Sequence, residues 1–172
     1  MGAQQQGADA TDGRWLSLVR TLCFITHGAD VLLMRRGDHR RVFPGMYNGL
    51  GGHVEQGEDP YSSAIREIRE ESGLSVTSLR LRGISTIDAG GLTGITMFIF
   101  TADATSRMLI ESDEGTLHWV PLASTHDLPL VEDLPILLAR LFAADAHADE
   151  PFFAHVSYDA NDRLLMTFTD AV

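Results

Sequence analysis

The segment that most constrains the fold is the stretch GHVEQGEDPYSSAIREIREESGL, residues 52–74, because it carries the signals for one bounded helix. Asp59 is a residue type favoured at a helix N-cap, and Pro60 suits the first helical turn, where its missing N–H costs nothing. Gly73 is a natural stop, because glycine readily adopts the left-handed conformation that ends many helices. The sequence therefore predicts a helix between Asp59 and Gly73.

This predicted helix has an apolar side and an acidic side. The apolar side consists of three residues, Ala64, Ile65 and Ile68. Glu67, Glu70 and Glu71 lie at i, i+3 and i+4, where like charges repel each other. A hard divalent cation such as Mg²⁺ would relieve that repulsion, because it binds carboxylate oxygens. A solvated face whose acids pair with Arg66 and Arg69 explains the same pattern, so the local sequence leaves both interpretations open.

Composition excludes several broad classes of protein. The 172 residues are 44% hydrophobic, which suits one globular domain, and no apolar run is long enough to span a membrane. A net charge of -11 argues against binding to nucleic acid polymers, which requires a basic face. The opening MGAQQQGADATDG has no signal-peptide pattern. We therefore predict a flexible tail at residues 1–13, one domain at 14–172, and a cytoplasmic protein in which the single Cys23 is a buried structural thiol.

Alternation and turn signals predict the other elements. WLSLVRTLCFIT and VLLMRR are predicted strands, and GLGGHVE is predicted to be a short strand. SVTSLRLRGISTI and TGITMFIFTAD are predicted to form a hairpin, and GTLHWVP another strand. LPILLARLFAA has the pattern of an amphipathic helix, and PFFAHVSYDANDRLLMTFT that of a closing hairpin. Strands before and after two helices predict one mixed α/β domain.

The spacing of the acidic segment adds a resemblance to a known family. It fits the pattern G-x5-E-x7-R-E-U-x-E-E-x-G-U at its specified positions: Gly52, Glu58, Arg66, Glu67, Ile68, Glu70, Glu71, Gly73 and Leu74. The chain therefore resembles the Nudix hydrolases, which cleave a nucleoside diphosphate linked to another group with the help of Mg²⁺ or Mn²⁺. The resemblance implies an α/β/α sandwich with a mixed central sheet, in which this segment forms a loop, a helix and a loop.

The resemblance also implies roles for particular residues. Metal ligands would be Glu70, Glu71, the backbone carbonyl of Gly51, and Glu67, which alternatively would be the base that activates water. Gly52 and Gly73 would shape the loops, and an ion pair between Glu58 and Arg66 would hold the first loop against the helix. A further catalytic glutamate is expected ahead of a later strand. We assign it to Glu114 in ESDEGTLHWV, with Glu111 and Asp113 as alternatives.

A narrower resemblance concerns the substrate. MYNGLGGHVEQGE is similar to the W-N-G-x-G-G-K-V-x-x-G-E pattern of Nudix enzymes that hydrolyse oxidised purine nucleoside triphosphates such as 8-oxo-dGTP to the monophosphate and pyrophosphate. Asn48, Glu132 and Asp133 match positions that recognise the base in that group. Asn48 as a turn residue, and the two acids as charges favouring a helix N-terminus, are equally consistent with the residues alone. Tyr47, His53 and Leu130-Val131 depart from the pattern.

The remaining predictions concern the phosphates, the partners and the competing functions. Among the clustered arginines 35, 36, 40 and 41, Arg36 at the end of a predicted strand is the preferred phosphate-binding residue, because guanidinium groups pair well with phosphate oxygens. A solvated loop explains the cluster nearly as well. The expected partner is a small nucleotide, and the protein is expected to be a monomer or a homodimer. An ADP-ribose or nucleotide-sugar pyrophosphatase is the first alternative. A non-catalytic Nudix module that binds a nucleotide is the second, although such modules generally lose the glutamates that this chain retains.

Overall fold

The computed structural model describes residues 3–8, 11–142 and 150–169. Within these residues the chain forms the eight strands β1 (Leu16–His27), β2 (Asp30–Arg36), β3 (Tyr47–Asn48), β4 (Val76–Ile87), β5 (Thr93–Ala104), β6 (Gly115–Pro121), β7 (Phe152–Tyr158) and β8 (Leu164–Thr169). The two α-helices are α1 (Pro60–Ser72) and α2 (Leu134–Phe142). Short 3-10 helices span Ala3–Gln6 and Leu122–Asp127. The predicted hairpins and helices are confirmed, and the last two residues of the predicted second helix lie outside the described residues.

All of the described strands belong to one mixed sheet. Its order is β3-β2-β1-β5-β4-β7-β8, and β6 pairs with β2. The pairs β1–β5 and β4–β7 are parallel, and the other pairs are antiparallel. Because β6 runs antiparallel to β2, the start of β6 lies beside the end of β2, and Gly115 pairs with Arg36. The mixed sheet predicted from the sequence is confirmed.

The central strands are buried on both faces, since each face is covered by one helix. Alternate residues of β1 belong to different hydrophobic clusters: Cys23 packs with α1, and Phe24 packs with α2. In β2, Leu32 belongs to the cluster that includes α1, and Leu33 belongs to the cluster that includes α2. Because period-two alternation places successive side chains on opposite faces, the two clusters form the layers of an α/β/α sandwich. The predicted fold class is confirmed.

The ends of α1 follow the signals in the sequence. The carboxylate of Asp59 accepts hydrogen bonds from the backbone N–H groups of Tyr61 and Ser62, 2.8 and 3.0 Å long. Gly73 has a φ of 74°, and its N–H donates to the carbonyl of Arg69. These contacts satisfy backbone groups that a helix end otherwise leaves unpaired. Burial along the helix corrects one expectation: Ile65 is 43% exposed, so it lies outside the buried face formed by residues such as Ile68.

The predicted strand over GLGGHVE is wrong. The strand β3 ends at Asn48, before this segment begins. Within the segment, only isolated β-bridges join Leu50 to Cys23 and His53 to Arg20. The interruption has a local cause, because Gly51 has a φ of 136° and its backbone departs from extended geometry. The segment is therefore a loop held against β1, which leaves its backbone groups close to α1.

The ends of the chain are described only in part. Residues 1–2, 9–10, 143–149 and 170–172 lie outside the described residues, so the flexibility of the tail at 1–13 stays a prediction, as does the single-domain boundary at 14–172. No helix in the described ranges is long and apolar enough to cross a membrane.

Candidate active site

A cavity of about 650 Å³ lies beside the loop that joins β3 to α1. Its lining includes nine of the residues singled out from the sequence: Arg36, Asn48, Gly51, Gly52, Glu67, Glu71, Glu114, Glu132 and Asp133. The other four do not line it, namely Glu58, Arg66, Glu70 and Gly73. The fold therefore brings the acids of α1, the asparagine of β3 and the acids before α2 to one enclosed space.

Two glycines let the loop approach the first residues of this site. Gly51 donates its backbone N–H to a carboxylate oxygen of Glu71 at 2.8 Å. A Cβ atom added to Gly51 would collide with the carbonyl oxygen of Thr21, and one added to Gly52 would collide with the carboxylate of Glu67. Glycine is required at Gly51, both for close approach to the backbone of β1 and for its positive φ, whereas at Gly52 the absence of a side chain leaves room for the carboxylate of Glu67. Backbone hydrogen bonds with β1, such as the 2.9 Å bond from Thr21 to the Gly52 carbonyl, fix the loop in place.

Arg66 organises the charges on the outer side of α1. Its guanidinium binds both carboxylate oxygens of Glu58, at 2.6 and 3.1 Å. It also donates to Glu67 at 2.9 Å and to Glu70 at 3.1 Å. The bonds from Arg66 hold the pKa of Glu58 down at about 2, and the bond to Glu58 in turn raises the pKa of Arg66. Glu70 is 60% exposed and turned toward Arg66, which is why it does not line the cavity.

Glu71 occupies the most buried position among these acids. It is only 6% exposed, and burial raises its pKa to about 8. Burial is the largest cause of this shift; the hydrogen bond from Gly51 and the charge of Arg36 oppose it, and the negative charges of Glu114 and Glu67 contribute to it. Burial also raises the pKa of Glu67. The cavity thus contains carboxylates that are costly to ionise without a nearby cation.

Glu114 reaches the cavity from the start of β6, and its two sequence neighbours do not. Glu111 and Asp113 are exposed and outside the lining. Glu114 forms an ion pair with Arg40, 3.4 Å between nitrogen and oxygen. The backbone N–H of Gly37 donates to the Glu114 carbonyl at 3.1 Å, which ties the end of β2 to this residue. The strand pairing of β2 and β6 therefore decides which of the three acids faces the site.

The opposite part of the cavity is formed by β3, the approach to α2 and the ends of β4, β5, β7 and β8. Two backbone hydrogen bonds of Tyr47, to the carbonyl of Pro129 and from the N–H of Val131, bring Asn48 near Glu132 and Asp133. The side chain of Asn48 accepts from the N–H of Gly49 at 2.9 Å, as a turn residue does. Burial raises the pKa of Asp133, and the charge of Glu132 adds to the shift.

Several lining residues were not identified from the sequence. Tyr158 lies at the end of β7, and burial raises the pKa of its hydroxyl, with the charge of Asp133 as the next cause. The apolar part of the lining includes Ile87, Ile95, Met97, Val156 and Leu164. These residues are ordinary strand positions, and only the register of four separate strands places them together. Tyr47, in the position of the pattern's tryptophan, does not line the cavity and instead contacts the ring of His118.

The donor groups suit a hard divalent cation, although they are not arranged around one. Within the described ranges, no three His, Cys, Asp or Glu side chains stand close enough to enclose an ion. The available donors are carboxylate and carbonyl oxygens, which Mg²⁺ prefers. Glu67 and Glu70 would have to exchange bonds with Arg66 for bonds to the metal. The chemistry of the donor set therefore fits Mg²⁺, with a rearrangement of two glutamates.

Comparison with known proteins identifies the family. Residues 16–141 match the NUDIX domain. The chain belongs to the Nudix family. It is 35% identical over 121 residues to an uncharacterized Nudix hydrolase, YvcI, of Bacillus subtilis, covering 67% of this chain and 70% of that protein. It is 32% identical over 155 residues to the oxidized purine nucleoside triphosphate hydrolase of Mus musculus, covering 87% of this chain and 92% of that protein.

A solved structure supports the same conclusion. The MutT protein from Bacillus halodurans superimposes with a TM-score of 0.72 at 26% identity, over 88% of this chain and 97% of that chain. This Nudix protein is therefore a hydrolase of phosphoanhydride bonds, in which residues 52–74 form the loop-helix-loop around α1.

Proposed function

We propose that this Nudix hydrolase uses Mg²⁺, or Mn²⁺ in its place, to hydrolyse an oxidised purine nucleoside triphosphate such as 8-oxo-dGTP to the monophosphate and pyrophosphate. The observation that carries the proposal is the composition of the single cavity described above. Carboxylates of α1 and β6 line one part, Arg36 lies close enough to Glu71 to favour its charge, and Asn48 and Asp133 line the other part. Such a cavity can hold a polyphosphate and a base at the same time.

The reacting part of the substrate would bind next to α1. Glu67, Glu70, Glu71 and the carbonyl of Gly51 would hold the metal, and Arg66 with Glu58 would position the loop and the helix. A bound divalent cation would neutralise phosphate oxygens and lower the pKa of a coordinated water. Glu114 and Glu67 both line the cavity near Glu71, so either carboxylate can accept the proton of the attacking water. Arg36 would bind a phosphate of the substrate.

The base would bind at the apolar part of the cavity. Asn48 and the buried carboxyl of Asp133 offer hydrogen-bonding groups for a purine edge, with Glu132 beside them. A carboxyl whose pKa is raised is able to donate as well as accept, which suits the altered edge of an oxidised purine. The mouse relative named for this substrate supports the assignment. A small nucleotide partner, a cytoplasmic location, and a monomeric or homodimeric state complete the proposal.

A substrate panel tests the proposal directly. Purified protein is incubated with 8-oxo-dGTP, dGTP or ADP-ribose, each with Mg²⁺, Mn²⁺ or EDTA, while the release of pyrophosphate and of phosphate is followed. We expect the highest kcat/KM for 8-oxo-dGTP, pyrophosphate as the product, and no turnover with EDTA. A preference for ADP-ribose would overturn the substrate assignment, and turnover in EDTA would overturn the role of the metal.

A further inference from the structure

The cavity also contains basic residues that the family pattern does not include. Arg20, Arg36 and Arg40 all line it, in a chain whose net charge is -11. Burial lowers the pKa of Arg20, and the nearby charge of Arg36 lowers it further. Two guanidinium groups held close together repel each other, so a concentration of positive charge in this part of the cavity needs an anion to stabilise it.

Arg20 and Arg36 differ in their side-chain partners from Arg40, the third arginine named in the cavity lining. Four of the described arginines form an ion pair with a carboxylate: Arg35, Arg40, Arg66 and Arg107. The Nε of Arg36 donates instead to a backbone carbonyl, that of Val42, at 2.9 Å.

The Nε of Arg20 donates to the imidazole Nε2 of His53 at 3.1 Å. Among the described residues, neither Arg20 nor Arg36 forms an ion pair with an acid. Their positive charges therefore remain available inside the cavity.

His53 holds Arg20 without cancelling its charge. The two residues face each other across the isolated bridge between β1 and the loop that follows Gly52. In this bond Nε of Arg20 is the donor and Nε2 of His53 is the acceptor, so the contact fixes Nε of the guanidinium without placing an acid beside it. The two terminal amino groups of Arg20 have no hydrogen-bond partner among the described residues. They form a fork of the kind that binds two phosphate oxygens.

We propose that Arg20, positioned by His53, is a phosphate-binding residue that acts with Arg36 on the polyphosphate of the substrate. Arg36 influences the pKa of both Glu71 and Arg20, so it lies near the carboxylates and near this second arginine. Glu55 also lines the cavity, but it forms no ion pair with Arg20. The identity of the ligand as a nucleoside polyphosphate rests on the proposed function.

The test measures phosphate binding separately from hydrolysis. Inorganic tripolyphosphate is titrated calorimetrically into the full chain with Mg²⁺ present, for the wild type, Arg20→Gln and the matched control Arg80→Gln. Arg80 is exposed on β4 and does not line the cavity. We expect Arg20→Gln to weaken binding about tenfold, as the loss of a charge-assisted bond does, and Arg80→Gln to bind as the wild type does. Equal affinity of the wild type and Arg20→Gln, or no binding by the wild type, overturns the proposal.

Two further variants address folding and positioning. Arg20→Lys keeps the charge and the aliphatic stem but loses the fork, so we expect a smaller loss, of about threefold. If Arg20→Gln does not fold, wild-type affinity in Arg20→Lys overturns the proposal.

The His53 variants test positioning. His53→Leu should weaken tripolyphosphate binding by releasing Arg20. His53→Gln should bind more tightly than His53→Leu, because the amide can accept from Nε of Arg20. Equal binding by both His53 variants contradicts the positioning role.

Hydrolysis assays separate this inference from the proposed function. With 8-oxo-dGTP, Arg20→Gln should raise KM more than it lowers kcat, because the contact is made in both the ground state and the transition state. A wild type that binds tripolyphosphate through Arg20 but hydrolyses none of the nucleotides refutes the proposed function and leaves the phosphate site standing. Turnover with an unchanged KM in Arg20→Gln refutes the phosphate site alone.

Discussion

At the scale of single residues, the site combines acids whose surroundings shift their pKa values in opposite directions. Glu58 is held ionised by the guanidinium of Arg66, whereas burial makes ionisation of Glu71 unfavourable. The charge of Glu58 therefore stabilises the fold, whereas ionisation of Glu71 destabilises it until a cation binds nearby. This contrast between the ion-paired Glu58 and the proposed metal ligand Glu71 leads to two predictions.

Glu71→Gln is expected to lower kcat by about two orders of magnitude or more, because the proposed metal ligand loses its charge. In the metal-free protein the same change should raise Tm. The folded-state pKa of about 8 lies above the ordinary value, so ionisation of Glu71 costs stability as pH rises toward 8, and the glutamine avoids that cost. Thermal unfolding in EDTA between pH 5 and 9 measures the difference in Tm, which should grow as pH rises to about 8 and then level off.

The matched control for Glu71→Gln is Glu111→Gln, since Glu111 is exposed and does not line the cavity. It should change neither kcat nor the dependence of Tm on pH. A Glu71→Gln protein that retains wild-type turnover at saturating Mg²⁺ would contradict the assignment of Glu71 as a ligand.

Glu58→Gln should destabilise the protein in a pH-dependent way. The folded-state pKa of Glu58, about 2, lies below its ordinary value, so its stabilising effect is complete above about pH 4.3 and disappears as pH falls toward 2. The difference in Tm between wild type and Glu58→Gln should therefore be largest at pH 5 and vanish near pH 2. A difference that stays constant over this range would show that the ion pair with Arg66 does not stabilise the fold.

At the scale of secondary structure elements, the site depends on how closely the loop after β3 lies against α1. The N-cap at Asp59 and the left-handed Gly73 fix where α1 begins and ends, and the glycines of the loop fix the distance between backbone and carboxylates. Because the loop is hydrogen-bonded to β1, it can move only a little when an added side chain crowds the space between the loop and α1. Small changes in this loop should therefore affect the acids more than the fold.

Gly52→Ala tests this dependence. The added methyl group would collide with the carboxylate of Glu67, so the acid or the loop must move. We expect kcat to fall by about tenfold or more, while the far-ultraviolet circular dichroism stays that of the wild type. Gly91→Ala is the control, because a Cβ at Gly91 makes only ordinary contacts. Equal activity of the two variants would show that the approach of Gly52 to Glu67 is not required.

At the scale of the whole molecule, the cavity is assembled from distant parts of the chain. Residues of β2, β3 and α1 meet the approach to α2 and the ends of four strands, so the proposed phosphate-binding part and the proposed base-binding part each combine segments from both halves of the sequence. The backbone bonds between Tyr47 and residues 129–131 join these halves. If the proposed base site is correct, selectivity for the base depends on the whole sheet and on the segment before α2.

Asp133→Ala should raise KM for purine triphosphates more than for pyrimidine triphosphates, because it removes a buried hydrogen-bonding group from the proposed base site. We expect about a tenfold difference between the two classes, measured as KM for 8-oxo-dGTP and for dCTP. Asp127→Ala, at an exposed residue outside the cavity, is the control. An equal rise for both nucleotides would remove Asp133 from base recognition.

The sequence by itself determined the bounds of α1, the mixed α/β class and the acids of residues 52–74, because caps, glycines and period-two alternation act between near neighbours in the chain. Only the tertiary structure decided that Glu70 turns outward to Arg66, that Glu114 lines the cavity rather than Asp113, and that the GLGGHVE segment is a loop. It alone placed Tyr158 beside Asp133 and Arg20 beside His53. The physical reason is that strand register and burial depend on which distant segments pack together, and no local pattern specifies that pairing.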